Sequence, residues 1–344
     1  MTSMRVIAKL GIAVVAASLL IGSVAAQTSR PEPRFVADDP ACQAATLVST
    51  GGAVPRDSST LAIRWTGFSN FELAYKDQVL LLDAYFDRGA VFPPLGFRAA
   101  DVRRADGILI GHGHTDHMSD AATVAARTGA RIVGAAVTTE KLAAQSVPSA
   151  QLVTATGRGG EFFQFGAFTI EPILGRHGEP ALEVLRAFQA VLDATSPKRT
   201  AEEIAEQEAI RAKGASSPLL ISEGTLTYLI TLDSGFRVIY RDSGGALTDW
   251  ERRAMARIGS VDVALVALPQ YIVGSVAAQA LDYVETYRPS LFMPAHHDAA
   301  RDGLWRPTEP IFQALKDQHR DLVTVSRGYR EPVCLDAGMV KVRK

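Results

Sequence analysis

Six residues of this chain, His112-Gly113-His114-Thr115-Asp116-His117, hold three imidazoles and a carboxylate. They follow the apolar run Ile108-Leu109-Ile110 and then Gly111, so a buried strand delivers them to a loop. Along an extended segment residues i and i+2 point the same way. His112 and His114 can therefore face one ion together. A turn into helix swings Asp116 and His117 to a neighbouring position, where a second ion fits. Neutral imidazole and carboxylate ligate zinc and other first-row divalent ions. Four such donors so close together are too many for a solvated polar turn.

The elements that must position this loop follow from hydrophobic pattern and turn residues. Strands are expected over 61–66, 71–75, 79–82 and 107–111, then a helix over 120–128 capped by Ser119 and stopped by Gly129. A strand over 131–134, a helix over 138–145 and strands over 151–154, 161–165 and 168–173 come next. Residues 180–217 break the strand rhythm with helices over 181–192 and 201–213. Strands return over 225–232 and 236–241, joined by the hairpin signal Asp233-Ser234-Gly235. A helix over 248–258, a strand over 261–268, a helix over 276–287 and a strand over 290–293 follow. A helix over 309–320 and a strand over 322–325 close the domain. Strands with helices interspersed in both halves predict a mixed α+β sheet system covered by helices. The unusual His and Asp residues sit just past predicted strand ends, where loops carry chemistry.

The pattern His-x-His-x-Asp-His at His112, His114, Asp116 and His117 resembles the signature of the metallo-β-lactamase-fold hydrolase superfamily. The resemblance spans about residues 61–325. It implies a four-layer αββα sandwich, here with a helical insertion, and one or two metals at one edge. His177 in Gly-Arg-His-Gly resembles the third histidine of the first metal site. Asp242 in Arg-Asp-Ser-Gly-Gly resembles a carboxylate bridging both metals, and His296 in Met-Pro-Ala-His-His-Asp the last ligand of the second. The first metal would then have His112, His114 and His177, and the second Asp116, His117 and His296. Asp83, ending a buried strand, resembles the family's early aspartate that braces a ligand histidine. Five of the seven histidines fall at these positions, which supports the set independently. His319 lies in a charged helix and reads as solvated. His297 stays open as ligand, proton donor or packing residue, with His296 preferred as ligand.

The resemblance implies an exported, dinuclear, metal-dependent hydrolase, in which a metal-bridging hydroxide attacks a lactone, ester or phosphodiester. Asp242 and Asp116 have catalytic roles in that scheme, Asp116 as proton acceptor. Two divalent ions are expected. Histidine at 114, where di-iron relatives carry glutamate, favours Zn2+, with Mn2+ or Fe2+ left open. The stretches 65–71 and 82–86 resemble the subgroup of ascorbate-phosphate lactonase-like and N-acylphosphatidylethanolamine phospholipase-D-like proteins, which implies a small-molecule or lipid-like substrate. The alternatives are a β-lactam hydrolase, which a bridging Asp242 counts against, and a non-catalytic metal- or ligand-binding protein. Residues 180–217, between His177 and Asp242, are expected to form a helical lid on the substrate pocket. Leu182, Leu185, Phe188 and Leu192 recur there at helical spacing.

Residues 1–26 read as a signal peptide cut near Ala26: Arg5 and Lys9, an apolar stretch too short to span comfortably, then Val24-Ala25-Ala26. Residues 27–58 read as an extended leader and 59–344 as the domain. No further apolar run reaches membrane-spanning length, so no integral span is expected in the mature chain. Periplasmic or secreted localisation follows, and in an oxidising compartment Cys42 and Cys334 could pair. The net charge of -1, without a basic face, argues against nucleic acid as partner.

Overall fold

Alternation of inward and outward side chains builds the first hairpin. In β1 (Thr60–Trp65) Leu61, Ile63 and Trp65 join the cluster between two sheets, while Ala62 joins the cluster on the outer side, as the two-residue period of a strand requires. The computed structural model describes residues 31–178, 183, 186–187, 190, 194, 198–215, 224–268, 275–298 and 307–338. The expected signal peptide and the four apolar lid residues Leu182, Leu185, Phe188 and Leu192 lie outside the described residues. Among those described, no helix is long and apolar enough to cross a membrane.

The first half continues with β2 (Phe71–Tyr75), β3 (Gln78–Leu82), β4 (Gly107–Leu109), α1 (Thr115–Met118), α2 (Ala121–Thr128), β5 (Arg131–Gly134), α3 (Ala136–Ala144) and β6 (Leu152–Thr154). The second holds β7 (Phe163–Phe165), β8 (Phe168–Leu174), α4 (Ala201–Arg211), β9 (Leu226–Leu232), β10 (Arg237–Arg241), α5 (Asp249–Ile258), β11 (Val263–Ala267), α6 (Val276–Tyr287), β12 (Leu291–Ala295), α7 (Glu309–Gln318), β13 (Val323–Thr324) and β14 (Pro332–Asp336). Two seven-stranded sheets result, ordered β14-β1-β2-β3-β4-β5-β6 and β13-β12-β11-β10-β9-β8-β7. Each sheet pairs antiparallel strands at one end and parallel strands at the other.

Both faces of each sheet are buried. Ile63, Leu73, Leu82, Ile170, Tyr228 and Leu265 fill the space between the sheets. Val124 and Leu142 cover the outer face of the first sheet, and Met255, Val284 and Leu315 that of the second. The layers are therefore helix, sheet, sheet, helix: an α+β sandwich. β3 and β4 run parallel. So do β10, β11 and β12, and β8, two antiparallel steps from β10, shares their direction. The carboxyl ends of these strands therefore collect at one edge.

Three expectations change. Ser119 does not cap the helix after the motif. It ends α1, a single turn, and α2 starts after Asp120. The Asp120 carboxylate instead accepts the Phe86 and Asp87 N–H groups at 2.7 and 2.8 Å. The strand at 290–293 runs on through Pro294 to Ala295. Pro294 is tolerated because the two-residue β13 pairs only with Leu291 and Phe292, leaving an open edge beside it. The domain closes later than residue 325: β14 pairs antiparallel with β1.

β14 also brings Cys334 to Cys42. The two form a disulfide with Cα atoms 5.8 Å apart. Residues 31–58 are more than a surface leader, since Ala41, Leu47 and Val48 are buried. A wholly buried Arg64–Glu72 pair holds them: Glu72 accepts the Val48 and Ser49 N–H groups at 2.9 and 2.8 Å, and Arg64 donates to the Ala41 carbonyl.

Candidate metal centre

β4 hands the chain to Gly111 with the motif in extended conformation. Gly111 is required there, because a Cβ would stand 2.0 Å from the Asp242 carboxyl carbon. His112 Nε2 and His114 Nδ1 then lie 2.9 Å apart. His114 is the last extended residue, and the turn of α1 carries Asp116 and His117 sideways. The His117 carbonyl accepts the Ala84 N–H at 2.7 Å, which ties that turn to the end of β3.

Four other strand ends supply the remaining groups. Asp83 follows β3 in the left-handed region, at φ 57. Its Oδ1 accepts the Gly111 N–H at 3.0 Å, and its Oδ2 lies 2.6 Å from His117 Nδ1. That contact places the Nδ1 proton toward Asp83 and turns Nε2 toward Asp116, whose Oδ2 is 3.6 Å away. His177 follows β8, with its ring centroid 4.7 Å from those of His112 and His114. Asp242 follows β10, its Oδ2 2.6 Å from His112 Nδ1 and 3.2 Å from His117 Nδ1. His296 follows β12, its Nε2 3.2 Å from Asp116 Oδ2.

Donor atoms thus gather in three overlapping groups: His112, His114 and His177; Asp116, His117 and His296; and Asp242 with His112 and His117. Asp242 stands between the other two. His297 belongs to none of the three groups. Its ring stacks on Trp65 at 4.4 Å, and burial lowers its pKa to about 4.

The donor set fits divalent cations. Two ligands about 2.0–2.1 Å from one tetrahedral zinc stand roughly 3.3 Å apart. The His112–His114, His296–Asp116 and His117–Asp116 separations of 2.9, 3.2 and 3.6 Å bracket that value. Asp242 is wholly buried, yet its Oδ1 has no hydrogen-bond partner among the described residues. Burial, reinforced by His117 and His114, holds His112 well below the usual imidazole range. Burial and the neighbouring His112 and His114 lower His177 to about 2. Both rings are therefore neutral, as ligands must be. Burial opposes charge on His117 too, but Asp116, Asp83 and Asp242 outweigh it and raise the ring to about 10. The carboxylates at this end demand positive charge.

Several residues have supporting roles that the sequence did not assign. The Ser69 hydroxyl donates to Asp83 Oδ2 at 2.6 Å and lies 2.9 Å from His117 Nδ1. Arg241, next to Asp242, donates to the carbonyls of Ser243 and Arg176, and so ties the Asp242 loop to the His177 loop. The region 201–215 also meets the motif. Thr115 Oγ1 donates to the Arg211 carbonyl at 3.1 Å, and the Ala215 N–H to the Gly113 carbonyl at 2.8 Å. Hydrogen-bonding reach across the fold leaves no periodic trace, so the sequence placed these residues in the stretch 65–71, the Arg-Asp-Ser-Gly-Gly motif and the expected lid without their partners.

A model of the beta-lactamase superfamily domain matches residues 78–297, well over half of the chain and every candidate metal ligand named above. The chain belongs to the beta-lactamase superfamily. A metal-dependent hydrolase of Dinoroseobacter shibae is 42% identical over 74 residues, which is 22% of this chain and 32% of that protein. The match thus spans about a third of that relative's length. Among solved structures, a metallo hydrolase from Ignicoccus hospitalis aligns over 80% of this chain and 98% of its own with a TM-score of 0.54 at 16% identity. The beta-hydroxylase CmlA aligns over 83% of this chain and 54% of its own with a TM-score of 0.50 at 15% identity. At such identities the likeness is one of fold. A hydroxylase shares it, so the chemistry must be argued from the site.

Proposed function

We propose that this superfamily member is an exported, dinuclear, metal-dependent hydrolase acting on a lactone, ester or phosphodiester. The observation that carries the reading is the position of Asp242, between a His112–His114–His177 group and an Asp116–His117–His296 group. Two ions held there, with zinc suited to this nitrogen-rich set, would supply hydroxide at neutral pH and neutralise a developing oxyanion. The protein's own residues do the rest. Asp83 orients His117 through its Nδ1 proton. Asp242 lies where one carboxylate can serve both groups. Asp116 is the carboxylate of this centre with solvent exposure, 30% against 0% for Asp242 and Asp83, and so is placed to take the proton released when water adds to the substrate.

Support for export comes from the first 26 residues and from the Cys42–Cys334 disulfide, a bond that persists in oxidising compartments. The name of the Dinoroseobacter shibae relative, a metal-dependent hydrolase, agrees with the reaction class. The test is a panel for the zinc-loaded protein: several lactones, a carboxylic ester, a phosphodiester, a phosphomonoester and a cephalosporin. Turnover is expected on the lactone, ester or phosphodiester members. His114→Ala should lower it more than about a hundredfold, since even groups one step removed from a metal cost 10- to 100-fold. A zinc-loaded protein inert toward the whole panel, or His114→Ala at full activity, would overturn the reading.

A further inference from the structure

Asp298, two residues past His296, is wholly buried and belongs to none of the donor groups. It accepts three hydrogen bonds: from the Phe68 N–H at 2.9 Å, from Arg88 Nη1 at 2.9 Å and from the Tyr329 hydroxyl at 2.6 Å. Arg88 is buried as well, with its guanidinium against the rings of Phe68, Phe92 and Tyr329. A charge pair walled by aromatic rings is screened little by solvent, so its geometry is tightly held.

What the pair holds is the turn at Phe68 and Ser69. The Phe68 carbonyl accepts the His296 N–H at 2.6 Å, and its ring packs on the His296 ring at 5.0 Å. The Ser69 hydroxyl reaches Asp83 and His117. One turn thus touches both histidines of the second donor group. Phe68 and His296 both sit in the left-handed region, at φ 48 and 59. Non-glycine residues persist there only when their surroundings over-determine them, and these two joints meet in a single hydrogen bond. None of the hydrogen bonds from Phe68, Ser69 or Asp298 described above reaches His112, His114 or His177.

We propose that Asp298, paired with Arg88, is a positioning residue for the His117–His296 half of the metal centre, acting through the Phe68–Ser69 turn. The assignment rests on the dinuclear reading above and adds an asymmetry to it: loss of the pair weakens one ion and spares the other. Asparagine at 298 keeps an acceptor for the Phe68 N–H but cannot pair with Arg88 as a charge. Arg88→Met removes the partner from the other side.

The experiment is a zinc titration of the metal-free full chain against a chromophoric chelator, resolving successive equivalents, for the wild type, Asp298→Asn and Arg88→Met. Near-ultraviolet circular dichroism serves as a check on folding, and Asp298→Asn, nearly isosteric, is the variant least prone to misfold. The wild type should bind two equivalents. In Asp298→Asn and Arg88→Met one equivalent should lose at least about tenfold in affinity, while the other changes less than about threefold. Two equivalents in the wild type with unchanged affinities in both variants would leave the dinuclear reading standing and overturn the assignment to Asp298. Equal weakening of both equivalents would overturn it too, as the mark of a general structural role. Fewer than two equivalents in the wild type would overturn the dinuclear reading and this assignment with it.

Discussion

On the proposed dinuclear reading, Asp242→Ala is expected to empty the metal centre of both ions and to lower hydrolysis by more than about a hundredfold. The reason is position. Asp242 Oδ2 faces His112 on one side and His117 on the other, at 2.6 and 3.2 Å, and Oδ1 has no hydrogen-bond partner among the described residues. The alanine variant removes the carboxylate that stands between the two donor groups, and the imidazoles around it attract a divalent ion far less than a buried carboxylate does. Changes to groups that only brace a ligand already cost 10- to 100-fold in metal affinity or activity, so a residue serving both donor groups should cost more. Gly111→Ala should mimic this loss without removing any donor, because its methyl group would occupy the place of the Asp242 carboxyl group. Zinc content after dialysis, measured on folded protein, checks both variants. Two retained equivalents in Asp242→Ala would sink the bridging assignment.

Arg241→Met is expected to lower stability by about 3–5 kcal/mol, the usual cost of breaking a buried ion pair from one side. Arg241 and Glu251 are both buried, with Nε and Oε1 3.0 Å apart. Glu251 also accepts from Thr227 and Tyr287, and caps the start of α5 through the Thr248 N–H. Without Arg241 its charge stays in the core unpaired. At roughly 2–4 °C per kcal/mol for a domain of this size, the melting temperature should fall by about 10 °C. Arg241→Lys should recover part of the stability. It should not recover the full hold on the metal centre, because one ammonium cannot reach the Ser243, Arg176 and Tyr283 oxygens together as a planar fork does. Thermal melts of the three proteins with and without zinc test this. A melting temperature for Arg241→Met within about 2 °C of wild type would contradict it.

The candidate donors were legible because chemistry constrains residue type. Three histidines and an aspartate in six positions are residue types suited to a metal, and the later candidate donors sit at strand ends in motif-like surroundings. The strands were legible because burial on one face or both leaves a pattern, as in Val79-Leu80-Leu81-Leu82. What stayed hidden lacks a pattern. β14 is five residues long and opens with a proline, so it reads as a tail until Cys334 meets Cys42 and pairing with β1 shows it to be a sheet edge. Ser119 misleads because a serine before a helix usually caps it, whereas here α1 ends at that residue. Asp298 and Arg88 are 210 positions apart and meet only in the fold. Charged residues brought together over such distances leave no local signature, although Asp298 stands directly after the His296–His297 pair.

The most direct test of the dinuclear centre is the zinc content of the wild-type protein, loaded at neutral pH, dialysed and measured by plasma mass spectrometry alongside the loss of activity on chelation. The dinuclear reading predicts two equivalents per chain, with activity lost on removal and restored by zinc. Two equivalents are what His112, His114 and His177 on one side of Asp242, and Asp116, His117 and His296 on the other, can hold. One equivalent or none in a folded, active protein would contradict it.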